Sequence, residues 1–115
     1  MEQTIKSVAA LGIPGLIFFY VFTTCGLAGA AAVTFSLAAI GPGGMVGGVA
    51  ILVLAGLISA TIAEYGFDEL NKGIVREFQN RGMSKEDIHA WISSRWFLSK
   101  AKKAYLHEIV TENFS

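Results

Sequence analysis

Two histidines, one cysteine and a glycine-rich stretch are the residues from which any catalysis in this chain would have to be built. Their spacing supports little. His107-Glu108 opens a zinc-protease HExxH, but Thr111 stands where the second histidine is required, so the ligand pair is incomplete. His89 lies far from His107 in sequence, with no cysteine or acidic cluster beside either. Gly41 to Gly48 is glycine-rich, yet no Lys-Ser or Lys-Thr follows it to hold a phosphate. Cys25, as the single cysteine, permits no internal disulfide and no cysteine-rich zinc site. In its apolar surroundings the thiol is expected to behave as a small hydrophobe. No enzyme activity, cofactor or metal is expected.

The remaining polar side chains point to binding. Arg95, Lys100, Lys102 and Lys103 cluster around Trp96 and Phe97. Such bases meet anionic lipid headgroups at about 1 kcal/mol each, or hold an anionic ligand. Thr34, Ser59 and Thr61 are hydroxyls in an otherwise apolar region, and are the candidates for lining a pore. Nine acids balance nine bases, which gives no support to nucleic-acid binding.

The stretch that must position these groups is uncharged from Ser7 to Ala63, 57 residues bounded by Lys6 and Glu64. The whole chain is 53% hydrophobic, with a mean hydropathy of +0.54. A charge at a bilayer centre costs roughly 2.5–3.5 kcal/mol, so charge-free length on this scale predicts a membrane segment. Gly41-Pro42-Gly43-Gly44 is the strongest turn signal in the chain and divides the run. The expected fold is all-α: a two-span transmembrane helical hairpin over 8–63, with spans at about 14–38 and 45–63 and the turn at 41–44. A short N-terminus, 1–7, precedes it, and a small cytoplasmic helical tail, 64–115, follows. Lys6 and the apolar residues after it faintly match a signal peptide, but Pro14-Gly15 interrupts the match, and the segment is expected to be retained. The first span is too long for a straight upright helix, and Pro14, Gly26 and Gly29 are the places where it would start or bend. Eight of nine Lys and Arg residues follow the run and none lies in its turn. The positive-inside rule then puts both termini in the cytoplasm, at a bacterial inner membrane.

Ten of thirteen glycines fall within the run. Gly44, Gly48, Gly56 and Ala60 share one helical face, interrupted by Leu52, and Ala55, Ser59 and Ala63 form a second row beside it. Small residues let helix backbones approach closely in lipid, so these rows, with Gly26 and Gly29 in the first span, are expected to pack the hairpin and join copies into a homo-oligomer.

Beyond Glu64 the periodicity becomes that of amphipathic helices. Phe67, Leu70, Ile74, Val75 and Phe78 form one face, and Asp68–Lys72 and Glu77–Arg81 are acid-before-base pairs four apart. Arg81-Gly82 ends that helix. Ser84 with Asp87 forms a capping box ahead of Ile88, Trp91 and Ile92. Ser99 caps a last helix bearing Ala101, Tyr105, Leu106, Ile109 and Val110, unless 85–112 is one bent helix.

The layout loosely resembles small bacterial and phage two-span proteins, among them holins with both termini cytoplasmic. The resemblance rests on topology and an uncharged glycine-rich hairpin; the long, charge-balanced tail departs from it. The function expected is an oligomeric pore or membrane-perturbing effector regulated through its tail. The alternative is a non-conducting anchor or scaffold whose tail recruits a cytoplasmic protein, and the weaker alternative is a holin-like phage protein.

Overall fold

The computed structural model describes residues 1–38, 47–95 and 98–114, with the side chains of 1–26, 28–30, 52–95 and 98–114. Six helices and no strand occur among them: α1 (Glu2–Ala10), α2 (Ile13–Ala38), α3 (Gly47–Tyr65), α4 (Phe67–Asn80), α5 (Lys85–Ser93) and α6 (Lys100–Asn113). The all-α expectation is met. The turn Gly41, Pro42, Gly43 and Gly44, and the side chain of Thr34, lie outside the described residues.

Backbone breaks fall where the sequence offers residues that tolerate them. Pro14 sits in the first turn of α2, where its missing N–H is no loss. Gly26 holds φ 75° and ψ −175° inside α2, a conformation closed to residues with a Cβ, and divides that helix into 13–25 and 27–38. Gly66, at φ 90°, separates α3 from α4.

Each half of α2 is therefore about 18–20 Å long at 1.5 Å per residue, against about 30 Å of hydrocarbon. Among the described residues no helix is long and apolar enough to cross a membrane. The kink at Gly26 is the physical reason that the span expected at 14–38 is not found as one rod.

The first half of α2 forms the centre of the fold. Leu16, Ile17, Phe18, Phe19, Tyr20 and Val21 are all buried. Six consecutive residues cover every direction around a helix, so this segment must be enclosed on all sides. Helices α1, α3 and α6 all contact α2. Phe67, at the start of α4, stacks on Phe19 with ring centres 5.5 Å apart. Helix α1 returns beside α2 so closely that a Cβ at Gly15 would collide with the carbonyl oxygen of Val8 and lie 2.7 Å from Leu11 Cβ. The same helix meets α4 at Gly73, where Ile5 occupies the space of a Cβ, and α3 through a 2.6 Å hydrogen bond between the Thr4 and Thr61 hydroxyls.

The tail helices α4 and α6 thus pack on the N-terminal part of their own chain. Leu70, Ile74 and Phe78 are the buried stripe of α4. Arg81 pairs with Glu77 at 3.0 Å as expected, whereas Lys72 reaches Glu69 at 3.9 Å instead of Asp68. These exposed pairs contribute little. The radius of gyration, 13.0 Å, is that of a compact domain of this length.

Gly15→Ala should destabilise the fold by about 1–3 kcal/mol, because the backbone oxygen it would strike cannot rotate away. Gly56→Ala, whose Cβ meets nothing within 4 Å, should be neutral or stabilising by up to about 1 kcal/mol through helix propensity alone. Denaturant unfolding of the two variants checks the contrast.

Candidate functional site

Two surfaces collect the polar and small residues singled out above: the α5–α6 hairpin and the outward face of α3. The hairpin is set locally by its caps. Ser84 N–H donates to Asp87 Oδ2 at 3.0 Å, and Asp87 N–H donates to Ser84 Oγ at 3.2 Å, the reciprocal box expected. Ser99 Oγ accepts from Lys102 N–H at 3.2 Å and starts α6, so 85–112 is two helices. Ile88 and Ile92 of α5 and Leu106, Ile109 and Val110 of α6 are buried. Ala101, expected on that face, is exposed.

Contacts run 89 to 107 and 93 to 103, so the two helices are antiparallel. Lys103 Nζ donates to the Ser93 carbonyl at 3.0 Å, an ammonium on the last turn of α5, where the helix dipole favours it. One turn further along α6, His107 Nε2 lies 3.2 Å from Ser93 Oγ and His107 Nδ1 lies 2.6 Å from His89 Nδ1. The two histidines, distant in sequence, meet: 18 positions close into one contact. Burial, then the neighbouring charges of His107 and Lys85, hold His89 below the usual histidine range, while Glu86 acts in the opposite direction. The signal was present in the sequence as two i, i+4 pairs, His89/Ser93 and Lys103/His107, each beside an apolar stripe and joined by a short connection.

The basic cluster is only partly free to meet a ligand. Arg95 lies 4.4 Å from the centre of the Trp91 ring, and its Nε donates to the Trp91 carbonyl. Lys103 is engaged as described, whereas Lys100 and Lys102 are exposed. Trp96 and Phe97 lie outside the described residues. Helix α6 also reaches α2: the Tyr105 hydroxyl meets the Cys25 sulfur, and that hydrogen bond, ahead of desolvation, pushes the phenol up to about 12. Cys25 is exposed rather than sequestered among apolar side chains.

On α3 the rows read from sequence separate. Ala55 is buried with Leu54 and Ile58, while Gly56 and Ala60 are exposed and none of the described residues approaches the Cβ position of Gly56 within 4 Å. Leu52 and Val53, on the same outward side, are 63% and 58% exposed. Gly48 lies in the first turn of α3. Gly26 is the kink itself, and Gly29 faces Cys25 across it, with Cys25 Cβ 2.5 Å from where a Cβ would stand. Of the pore-lining candidates, Thr61 is buried against Thr4, and Ser59 is exposed. Thr23 and Thr24 bond to carbonyls of their own helix. Among the described residues no group of three His, Cys, Asp or Glu is placed to hold a metal ion.

No family model, no curated protein and no solved structure matches this chain. Its function has to be argued from these two surfaces.

Ser84→Ala removes the Oγ that accepts from Asp87 N–H, leaves the backbone N–H bond to Asp87 Oδ2 in place, and should cost about 1 kcal/mol. The loss should appear in amide exchange as faster opening of α5, with α4 unchanged.

Proposed function

We propose that this chain is a small, non-enzymatic membrane-seated protein that self-associates through the outward face of α3. The single observation carrying the reading is that face: Leu52, Val53, Gly56 and Ala60 stand exposed on a helix without a charge before Glu64. An uncovered apolar face calls for lipid or a partner. Gly56 and Ala60 give it the small-residue profile through which helices approach in lipid, and a second copy of this chain is the partner it suits.

The uncharged helix lengths 27–38 and 47–63 are about 18 Å and about 25 Å long, enough to enter a leaflet and short of the about 30 Å of a full crossing. In this reading the membrane-spanning hairpin of the sequence becomes a half-inserted one. The charged helices α1 and α4–α6 stay at the surface, on the cytoplasmic side of a bacterial inner membrane by the Lys and Arg distribution. Lys100 and Lys102 are then free to meet lipid headgroups or a cytoplasmic protein partner.

Within that frame an assembly scaffold or anchor is favoured over a pore, because Thr61 is engaged with Thr4 and Thr23 and Thr24 with their own backbone. The exposed hydroxyl of Ser59 supports the second reading, an oligomer whose copies line a weakly selective pore.

Flotation with lipid vesicles, the mass of the protein in detergent, and release of trapped dye test these readings together. The chain should float with vesicles and give a mass several times 12.3 kDa. Leu52→Glu should weaken vesicle partition about tenfold or more, given the cost of a charge in lipid. Gly56→Leu meets open space within its own chain, so a change in assembly mass would report on association alone. A monomer that stays out of vesicles sinks the proposal, and dye release by the assembled protein selects the pore.

A further inference from the structure

The geometry points to a proton-operated latch: His89 and His107 share one hydrogen between α5 and α6, and protonation of both rings opens that hairpin. The imidazole rings are inclined by only 28°, with centres 4.8 Å apart and Nδ1 atoms 2.6 Å apart. A centre-to-centre distance of 4.8 Å leaves little more than two ring radii beyond the nitrogen separation. The nitrogens therefore lie close to the line of centres, and the rings meet edge to edge with their in-plane lone-pair directions opposed.

Such a contact has a fixed proton capacity. One Nδ1 must carry a hydrogen and the other must be bare. The Ser93 hydroxyl, 3.2 Å from His107 Nε2, can accept from it or donate to it, so either ring can carry the shared hydrogen. A first added proton goes to the outer nitrogen of whichever ring already carries the shared hydrogen and leaves the contact intact. A second would have to sit on the other ring's Nδ1, facing an N–H across 2.6 Å, with a positive charge on each ring. Two donors cannot satisfy one another, so the contact breaks.

The surrounding charges do not relieve it. Lys85 and Glu86 of α5 act on His89 with opposite signs. From α6, Lys103 reaches the Ser93 carbonyl beside the pair, and Glu108 acts on Tyr105. Arg95 is turned onto Trp91. Because His89 in the folded chain binds its proton less readily than an ordinary histidine, the pair's contribution to stability is complete above about pH 6.5 and is lost as pH falls through the lower folded value. The consequence reaches beyond the latch. Ile88 and Ile92 on one side, and Leu106, Ile109 and Val110 on the other, are buried in the closed hairpin, and α6 also covers α2. Acid would uncover these apolar residues together. This device operates whether or not the chain is seated in a membrane.

Amide exchange of the full chain at pH 7.5 and pH 5.0, each rate taken relative to its intrinsic value, reads the opening directly. Exchange in 85–93 and 100–113 should rise about tenfold or more at the lower pH, the equivalent of one pKa unit. His107→Gln keeps a polar side chain without a titrating proton and should lose most of that acid response; His89→Gln serves if it does not fold. Imidazole NMR titration of the wild-type chain needs no variant and should show two coupled steps. Independent titration of both rings at about 6.5, unchanged exchange at pH 5.0, or a wild-type acid response in the glutamine variants would each overturn the latch.

Discussion

Enclosure of Leu16–Val21 is the constraint on which the rest of the structure depends. A helix apolar on every side is stable in water only when other helices surround it, and each large side chain so covered contributes about 1.5–3 kcal/mol. Meeting that demand explains the turn after α1, the glycine at position 15 and the stack of Phe67 on Phe19. It also explains why the tail is not a separate unit. Helices α4 and α6 have apolar stripes to bury, α2 and α1 have surfaces that need covering, and one packing answers both.

Glycine placement decides how much of the uncharged run remains outside that packing. With Gly26 breaking α2 and Gly66 ending α3, the run becomes one half enclosed by the chain's own helices and one half, in α3, with Leu54, Ala55, Ile58 and Thr61 buried and Leu52, Val53, Gly56 and Ala60 open. The exposed part of α3 carries no charge before Glu64, in its last turn. This arrangement suits an interface better than either bulk water or a full crossing, which is why the proposed seat is one leaflet.

The α5–α6 hairpin is held differently from the core. Its apolar stripe is short, and its edge is closed by polar contacts: Lys103 on the Ser93 carbonyl, His107 on Ser93, and His89 on His107. Contacts of this kind have defined hydrogen positions, so they respond to pH where methyl groups do not. A unit covering the central helix and fastened by titrating groups is the natural place for this fold to be regulated.

Much of this was legible in the sequence because it depends on local physics. The all-α class, the bend at Gly26, the stop at Arg81-Gly82, the Ser84–Asp87 box and the Ser99 cap follow from backbone preferences and side-chain spacing within a few residues. The small-residue rows of α3 do not coincide with its faces: of Ala55, Ser59 and Ala63 only Ala55 is buried, beside Leu54, Ile58 and Thr61. What only the tertiary structure decided are the meetings between distant segments: Thr4 with Thr61, Cys25 with Tyr105, His89 with His107. Absence of charge specifies that a residue avoids water, and it is silent on whether lipid or another helix replaces the water. For Leu16–Val21 the replacement is protein, because the amphipathic tail returns to cover it, and that depends on the whole chain at once.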